Sequence, residues 1–282
     1  MVDRNELSYV AQEARQYDHD RWMVALFAPA HLRENLYSLL AFNSEISRIR
    51  ETVSEPMIGD IRLQWWREAL ESLEQGTPKS HPVMDALACV QKQTSWAFKV
   101  MQDMIDARST DLDAAPIHDD AGLLVYAGGT GGLLQQLLAS VIHPEFNETD
   151  KDAAFRAGRS FALVGVLRAI PFHARNDLLL LPHSRLANEG LTTETVFQAE
   201  NRNSFLKIVE ELANLAQEDL RTAREVARQA SPMIKSVQLL NSLTALYLKR
   251  LKASKFDPSH PKLTVGSQRK VLALVLGNLG IG

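Results

Sequence analysis

Residues 36–70, LYSLLAFNSEISRIRETVSEPMIGDIRLQWWREAL, constrain the fold more than any other stretch of the chain. Leu39, Phe42, Ile46 and Ile49 recur at the three- and four-residue spacing that puts side chains on one face of a helix. Leu40, Ser44, Ser47 and Glu51 form a neighbouring stripe, which is expected to line a cavity. The pattern predicts one helix, a break over 56–59 and a second helix from about Asp60 that carries Trp65 and Trp66. Adjacent tryptophans cannot both face inward, so one is expected in the core and the other half-exposed.

Helical spacing recurs along the rest of the chain, and no segment alternates apolar and polar residues between turn signals as a strand would. Helices are predicted over 5–17, from about 31, over 83–92, 95–107, 150–176, 204–229 and 232–255, with 18–29 a connection. A short helix follows 178–181, and Leu243, Ala245, Tyr247 and Leu251 are core candidates in the 232–255 helix. Pro171 is expected to kink or break its helix just before His173, because it removes a backbone donor. With no repeat and no low-complexity linker, the expectation is an all-α chain of about ten helices in a single domain over 1–282, its core over 18–255.

A chain of 282 residues can bury a substantial core, and a net charge of −3 gives no case for nucleic acid. The single cysteine, Cys89, excludes an internal disulfide, suits a reducing compartment and is expected to be buried as a small apolar residue. The start of the chain carries too many charges for a secretory signal and too many acids for a transit peptide. No run approaches the ~18 apolar residues of a membrane span. A cytoplasmic location follows as the expectation, with peripheral contact at the inner membrane left open. The apolar tail over 262–282, ending KVLALVLGNLGIG, reads as a terminal helix packed on its own core, with contact to a bilayer or partner as the other reading.

The apolar stretch over 121–142 contains Tyr126-Ala127-Gly128-Gly129-Thr130-Gly131-Gly132. A phosphate-cradling loop would need a preceding strand and a Lys-Ser/Thr end, and neither is present. Gly128 and Gly132, one turn apart, instead admit a close approach of a neighbouring helix or a long apolar ligand.

AFNSEISRIRE followed by the Trp-Trp-Arg helix resembles the Tyr-Ala-Phe-x-Arg-x-x-Asp-Asp-x-x-Asp segment of the squalene/phytoene synthases. LRAIPFHAR over 167–175, with its trailing Leu181-Pro182, resembles their Leu-Arg-Asp-x-x-x-Asp-Ala-Arg region, and the glycine run matches a third stretch. The wording of residues 42–70 is nearer to a divergent branch of that family, the complex I assembly factor 6 branch. The resemblance implies an isoprenoid-synthase-like helical bundle around a central cavity. In the synthases, Mg²⁺ held on carboxylates from two facing helices neutralises a leaving diphosphate. Here the matching positions read Ser47, Arg48 and Glu51 on the first segment and Ala169 and His173 on the second. Arg48 places a fixed cation where a metal ligand belongs, within helical reach of Glu45 and Glu51.

Plain readings stand beside these. Glu51 also reads as a surface acid, His173 with Asp177 as a structural pair, and Arg168 and Arg175 as partners of nearby acids as readily as phosphate ligands. The first expectation is a protein without catalytic residues, metal or cofactor. It acts in complex I assembly or binds a partner protein or an isoprenoid-like lipid, with Ser44, Ser47, Arg48, Glu51, Tyr126, Gly128, Ala169 and His173 as cavity candidates. The alternative is an active Mg²⁺-dependent prenyltransferase joining two prenyl diphosphates, its ligands relocated to Glu45, Glu51, Asp60 or Asp177. A plain lipid carrier is the third reading.

Overall fold

Ser8 accepts a hydrogen bond from the Ala11 amide at 3.1 Å and starts α1 (Tyr9–Tyr17). Asp18 closes that helix and, by accepting from the Arg21 amide at 3.2 Å, opens α2 (His19–Ala25). The expected connection over 18–29 is therefore half helix, because one aspartate serves as the end of one helix and the cap of the next. The computed structural model describes residues 7–92, 98–113, 117–176 and 178–281, and none of these is in a strand.

After a 3₁₀ turn at Ala30–Leu32, α3 (Arg33–Ser47) buries Leu39, Leu40 and Phe42 completely. The break that follows lies over 48–55, upstream of its expected place, and α4 (Pro56–Glu74) begins on the proline itself. The first amides of a helix have no partner within it, so a residue without an amide is well placed there. Trp66 of α4 is buried and Trp65 half-buried. In α5 (Pro82–Gln91), Val83, Met84, Leu87 and Val90 face the core, and the same phase turns Cys89 outward. The expected burial of that thiol is thus corrected by the phase of its own helix.

The chain continues through α6 (Phe98–Arg108), the start of whose predicted span lies outside the described residues. Next, α7 (Asp120–Ala127), a π-helical turn at Gly128–Gly132 and α8 (Leu133–Ile142) form one unbroken rod. A capping box of Asn147 and Asp150 opens α9 (Glu148–His173), where Pro171 sits in the last turn and a 3₁₀ turn at Ala174–Asn176 follows. Beyond it lie α10 (His183–Asn188), α11 (Arg202–Ala227), α12 (Lys235–Gln238), α13 (Leu240–Ala253) and α14 (Ser267–Asn278). The helix predicted over 232–255 is divided at Leu239, which closes α12 and precedes α13.

Two apolar clusters organise these helices. One is built on α1, α3, α4, α5, α6 and α8, the other on α7, α9, α10, α11 and α13. At one point the rod and α9 touch backbone to backbone. A Cβ at Gly131 would meet the Gly158 carbonyl oxygen at 2.5 Å, and one at Gly158 would meet Gln135 Cβ at 2.7 Å. Gly128 and Gly132 face Phe155 of α9 in the same way, so the glycine run serves a helix crossing. Arg21, its Nε 3.4 Å from Gln135 Oε1, lies where the two clusters meet, and its guanidinium rests on the Phe161 ring at 4.8 Å.

Candidate functional site

A cavity of about 200 Å³ opens between α3, α6, the glycine-bearing rod and α9. Ala162, Val166, Ala169 and His173, one face of α9, make one wall, and Tyr126, Thr130 and Gly131 of the rod make another. Asn43 of α3 and Arg108, the last residue of α6, complete its polar end. Arg50, on the turn after α3, donates to the Asn176 carbonyl at 3.3 Å, so the two segments that carry the family-like motifs adjoin.

The polar end is a closed network with loose ends. Tyr126 Oη donates to Asp111 Oδ1 at 2.6 Å, and Arg108 Nη1 donates to Asp111 Oδ2 at 3.2 Å and to Tyr126 Oη at 3.4 Å. Burial first, then the Asp111 carboxylate, holds the Tyr126 phenol well above its ordinary range. Burial opposes the Arg108 charge, yet Tyr126 and Asp111 outweigh it and raise that guanidinium further. His173 is pushed down by burial, and the charges of Asp111 and Arg108 pull in opposite directions, so its imidazole is neutral at pH 7. Arg108 Nε, His173 Nδ1 and Asn43 Oδ1 are buried and meet no partner among the described residues. Unpaired polar atoms that converge on one cavity mark the place where a ligand's polar head or ordered water sits.

The residues singled out in the sequence are divided by this arrangement. Tyr126, Ala169 and His173 line the cavity together. Ser44 points into the first core, its Oγ donating to the Leu40 carbonyl at 2.9 Å. Ser47 ends α3, with its Oγ on the Ser44 carbonyl at 3.2 Å, and is not in the cavity wall. Glu51 is exposed beside the polar end, near enough to feel Asp111 and Arg108; burial leads in pushing its carboxyl up, against the pull of Arg48. Gly128 packs on Phe155. Arg48 turns to the other side of α3, 3.5 Å above the Tyr17 ring and 4.0 Å from Glu13, in place of the expected pairing with Glu45 or Glu51. With Glu45, Arg62, Trp65, Trp66 and His81 it lines a separate cleft of about 340 Å³. None of Ser47, Arg48, Ala169 and His173 belongs to either apolar cluster.

Asn43, Arg108 and Asp111 were not singled out by sequence. The only local sign was a cation and an acid three residues apart in Arg108-Ser109-Thr110-Asp111, a spacing common on any helix end. Arg168, for its part, pairs with Asp20 at 3.5 Å and lies over the Tyr247 ring at 3.5 Å.

Magnesium, which the resemblance brings to such a cavity, prefers several anionic oxygens at short range. Among the described residues no three His, Cys, Asp or Glu side chains come together as metal ligands. Both Asp111 oxygens are engaged, Glu45 lines the other cleft and Asp60 is exposed on α4. Asp177 lies outside the described residues. Two guanidinium groups, those of Arg21 and Arg108, an imidazole and an amide line the cavity, and that donor set does not fit a magnesium cluster.

The chain is 27% identical to complex I assembly factor 6 of Mus musculus over 90% of its own length and 76% of that protein. It is 25% identical to the Homo sapiens protein over the same shares of each chain. Among solved structures, a dehydrosqualene synthase superposes with a TM-score of 0.82 at 15% identity, covering 97% of this chain and 95% of that one. Squalene synthase HpnC from Alicyclobacillus acidocaldarius does so at 0.76, with 15% identity, 88% of this chain and 94% of that one. These place the all-α bundle in the isoprenoid synthase fold. The sequence profile for squalene/phytoene synthase matches residues 14–269, and the chain belongs to that family.

Proposed function

We propose that this protein is a non-catalytic member of its family that binds rather than transforms, acting in the assembly of respiratory complex I. The donor set at the polar end of the cavity carries the reading. Where the synthases' motif has aspartates, this chain has Ser47, Arg48, Ala169 and His173, and the nearby Asp111 is neutralised by Arg108. The names of its assembly-factor relatives supply the process. At about 200 Å³ the cavity is smaller than the ~300–1,000 Å³ usual for small-molecule sites, so it suits the head of an isoprenoid-like lipid better than two prenyl chains. Arg108 Nε is oriented to donate to an anionic or carbonyl oxygen of that head.

Incubation of the purified protein with farnesyl or geranylgeranyl diphosphate and Mg²⁺ tests the reading. No diphosphate release above the uncatalysed rate is expected. Release that disappears in Glu51→Ala would overturn it. In the host, deletion of the gene is expected to lower assembled complex I and leave long-chain isoprenoids unchanged.

A further inference from the structure

The last helix presents two faces. Leu274 is fully buried, Lys270 Nζ reaches Asp20 Oδ1 at 2.7 Å, and Gly277 packs on Ser242. On the outer side Val271, Leu272, Val275 and Leu279 are 47%, 58%, 39% and 66% exposed. At 100° per residue these four fall within one quarter-turn or little more, an aliphatic stripe without a polar interruption. The helix is therefore held firmly to the body while its apolar side faces water.

Beside its final turn lies a groove of about 440 Å³, which Gly277 and Gly280 border on one side and Arg224, Arg228 and Lys235 on the other. Among the described residues no carboxylate lines it. Burial, then the neighbouring Arg228 cation, pushes the Arg224 guanidinium down, as expected of cations gathered without an anion. Asn241 Oδ1 and Gln238 Nε2, also on the groove wall, are buried and unpartnered, and Asn241 is only 6% exposed. From residue 224 onward the chain carries ten lysines and arginines against two acids, in a protein whose net charge is −3. Both acids are engaged, Glu225 by Arg221 and Asp257 by Arg202 at 2.7 Å. Stripe and groove meet at the tip of the helix, where Leu279 and Ile281 flank Gly280 and are exposed.

We infer that α14 and the basic groove beside it dock the protein on an anionic lipid bilayer, the stripe entering the interface and the groove receiving a phosphate headgroup. An aliphatic face combined with unpaired cations is the physical requirement for interfacial binding. No described helix is long and apolar enough to cross a membrane, so the contact is peripheral. The site is separate from the cavity and stands or falls independently of the function proposed for it.

Sedimentation of the full chain with phosphatidylcholine vesicles, with and without phosphatidylglycerol, tests the assignment. Binding is expected only with the anionic lipid, and is expected to weaken as salt rises. Arg228→Gln with Lys235→Gln is expected to lower affinity about fivefold for each cation removed. Leu272→Ser with Leu279→Ser is expected to lower it at least about tenfold. All four side chains are at the surface or the groove edge, so unchanged melting temperatures separate lost docking from lost folding. Absence of sedimentation, equal sedimentation with neutral vesicles, or unaltered binding in either double variant would overturn the assignment. So would a wild-type chain that pairs with itself through the stripe and becomes monomeric in Leu272→Ser with Leu279→Ser.

Discussion

Tyr126, Asp111 and Arg108 satisfy one another at the polar end of the cavity, and removing one strands the rest. Tyr126→Phe deletes the 2.6 Å donor to a buried carboxylate, so a loss of about 1–3 kcal/mol is expected in urea unfolding. His173 gives a pH-dependent signature. Its folded pKa is depressed, chiefly by burial, so the unfolded chain binds the proton more readily and stability falls as pH drops below about 6.5. Thermal melts between about pH 7.5 and 5 are expected to decline in the wild type, with a shallower slope in His173→Gln. The sequence disclosed half of this site. The α9 face emerges from helical spacing alone, because Ala162, Val166, Ala169 and His173 keep one phase. The α3 side does not, because its cavity-facing residue is Asn43, one position from the stripe read through Ser44. That single step turns a side chain by about 100°. Arg108 and Asp111 reach the site through tertiary packing that no local spacing encodes.

At the scale of the element, the crossing of the glycine rod with α9 is the tightest point of the fold. In Gly158→Ala the added methyl would run into the Gly131 carbonyl and Gln135 Cβ, neither of which can move freely. A loss of about 1–3 kcal/mol or more is expected. Gly165 lies on the same helix with open space where a methyl would project, so it is the control, and Gly165→Ala is expected to gain up to ~1 kcal/mol of helix propensity. Thermal or urea melts of the two variants should move in opposite directions. Most helices were readable from apolar periodicity, but α2, expected as part of a connection, and the rod of α7 and α8, read only as an apolar stretch, were not, and neither were ends and breaks. Pro56 looks the same to a sequence reader as helix breaker or first helical residue, and Asp18 ends α1 and caps α2 at once. The π turn at Gly128–Gly132 leaves no periodicity signal, since glycines carry no side chain to show a phase.

Across the whole molecule, Asp20 ties distant parts of the chain together. It accepts from Lys270 of α14 at 2.7 Å and Tyr247 of α13 at 2.6 Å, and faces Arg168 of α9 at 3.5 Å. Burial alone would push its carboxyl up, but the Lys270 and Tyr247 hydrogen bonds and the two cations outweigh it and lower the pKa. The stability this gives is present above the ordinary ~3.9 and is lost as pH falls through the lowered value. Asp20→Ala leaves two cations without their counter-charge, and a loss of about 3–5 kcal/mol is expected, with earlier proteolysis around α14 as the local readout. The four motif positions that lie outside both apolar clusters have the opposite character. None of them fills either apolar cluster, although Arg48 packs on Tyr17 and His173 is half-buried, so the packed clusters can persist while these positions change. Ala169→Asp, which puts one carboxylate in the cavity wall that also holds Arg108, is therefore expected to leave the fold intact and to melt no higher with Mg²⁺ than without it, since one carboxylate beside a guanidinium offers the metal too few oxygens.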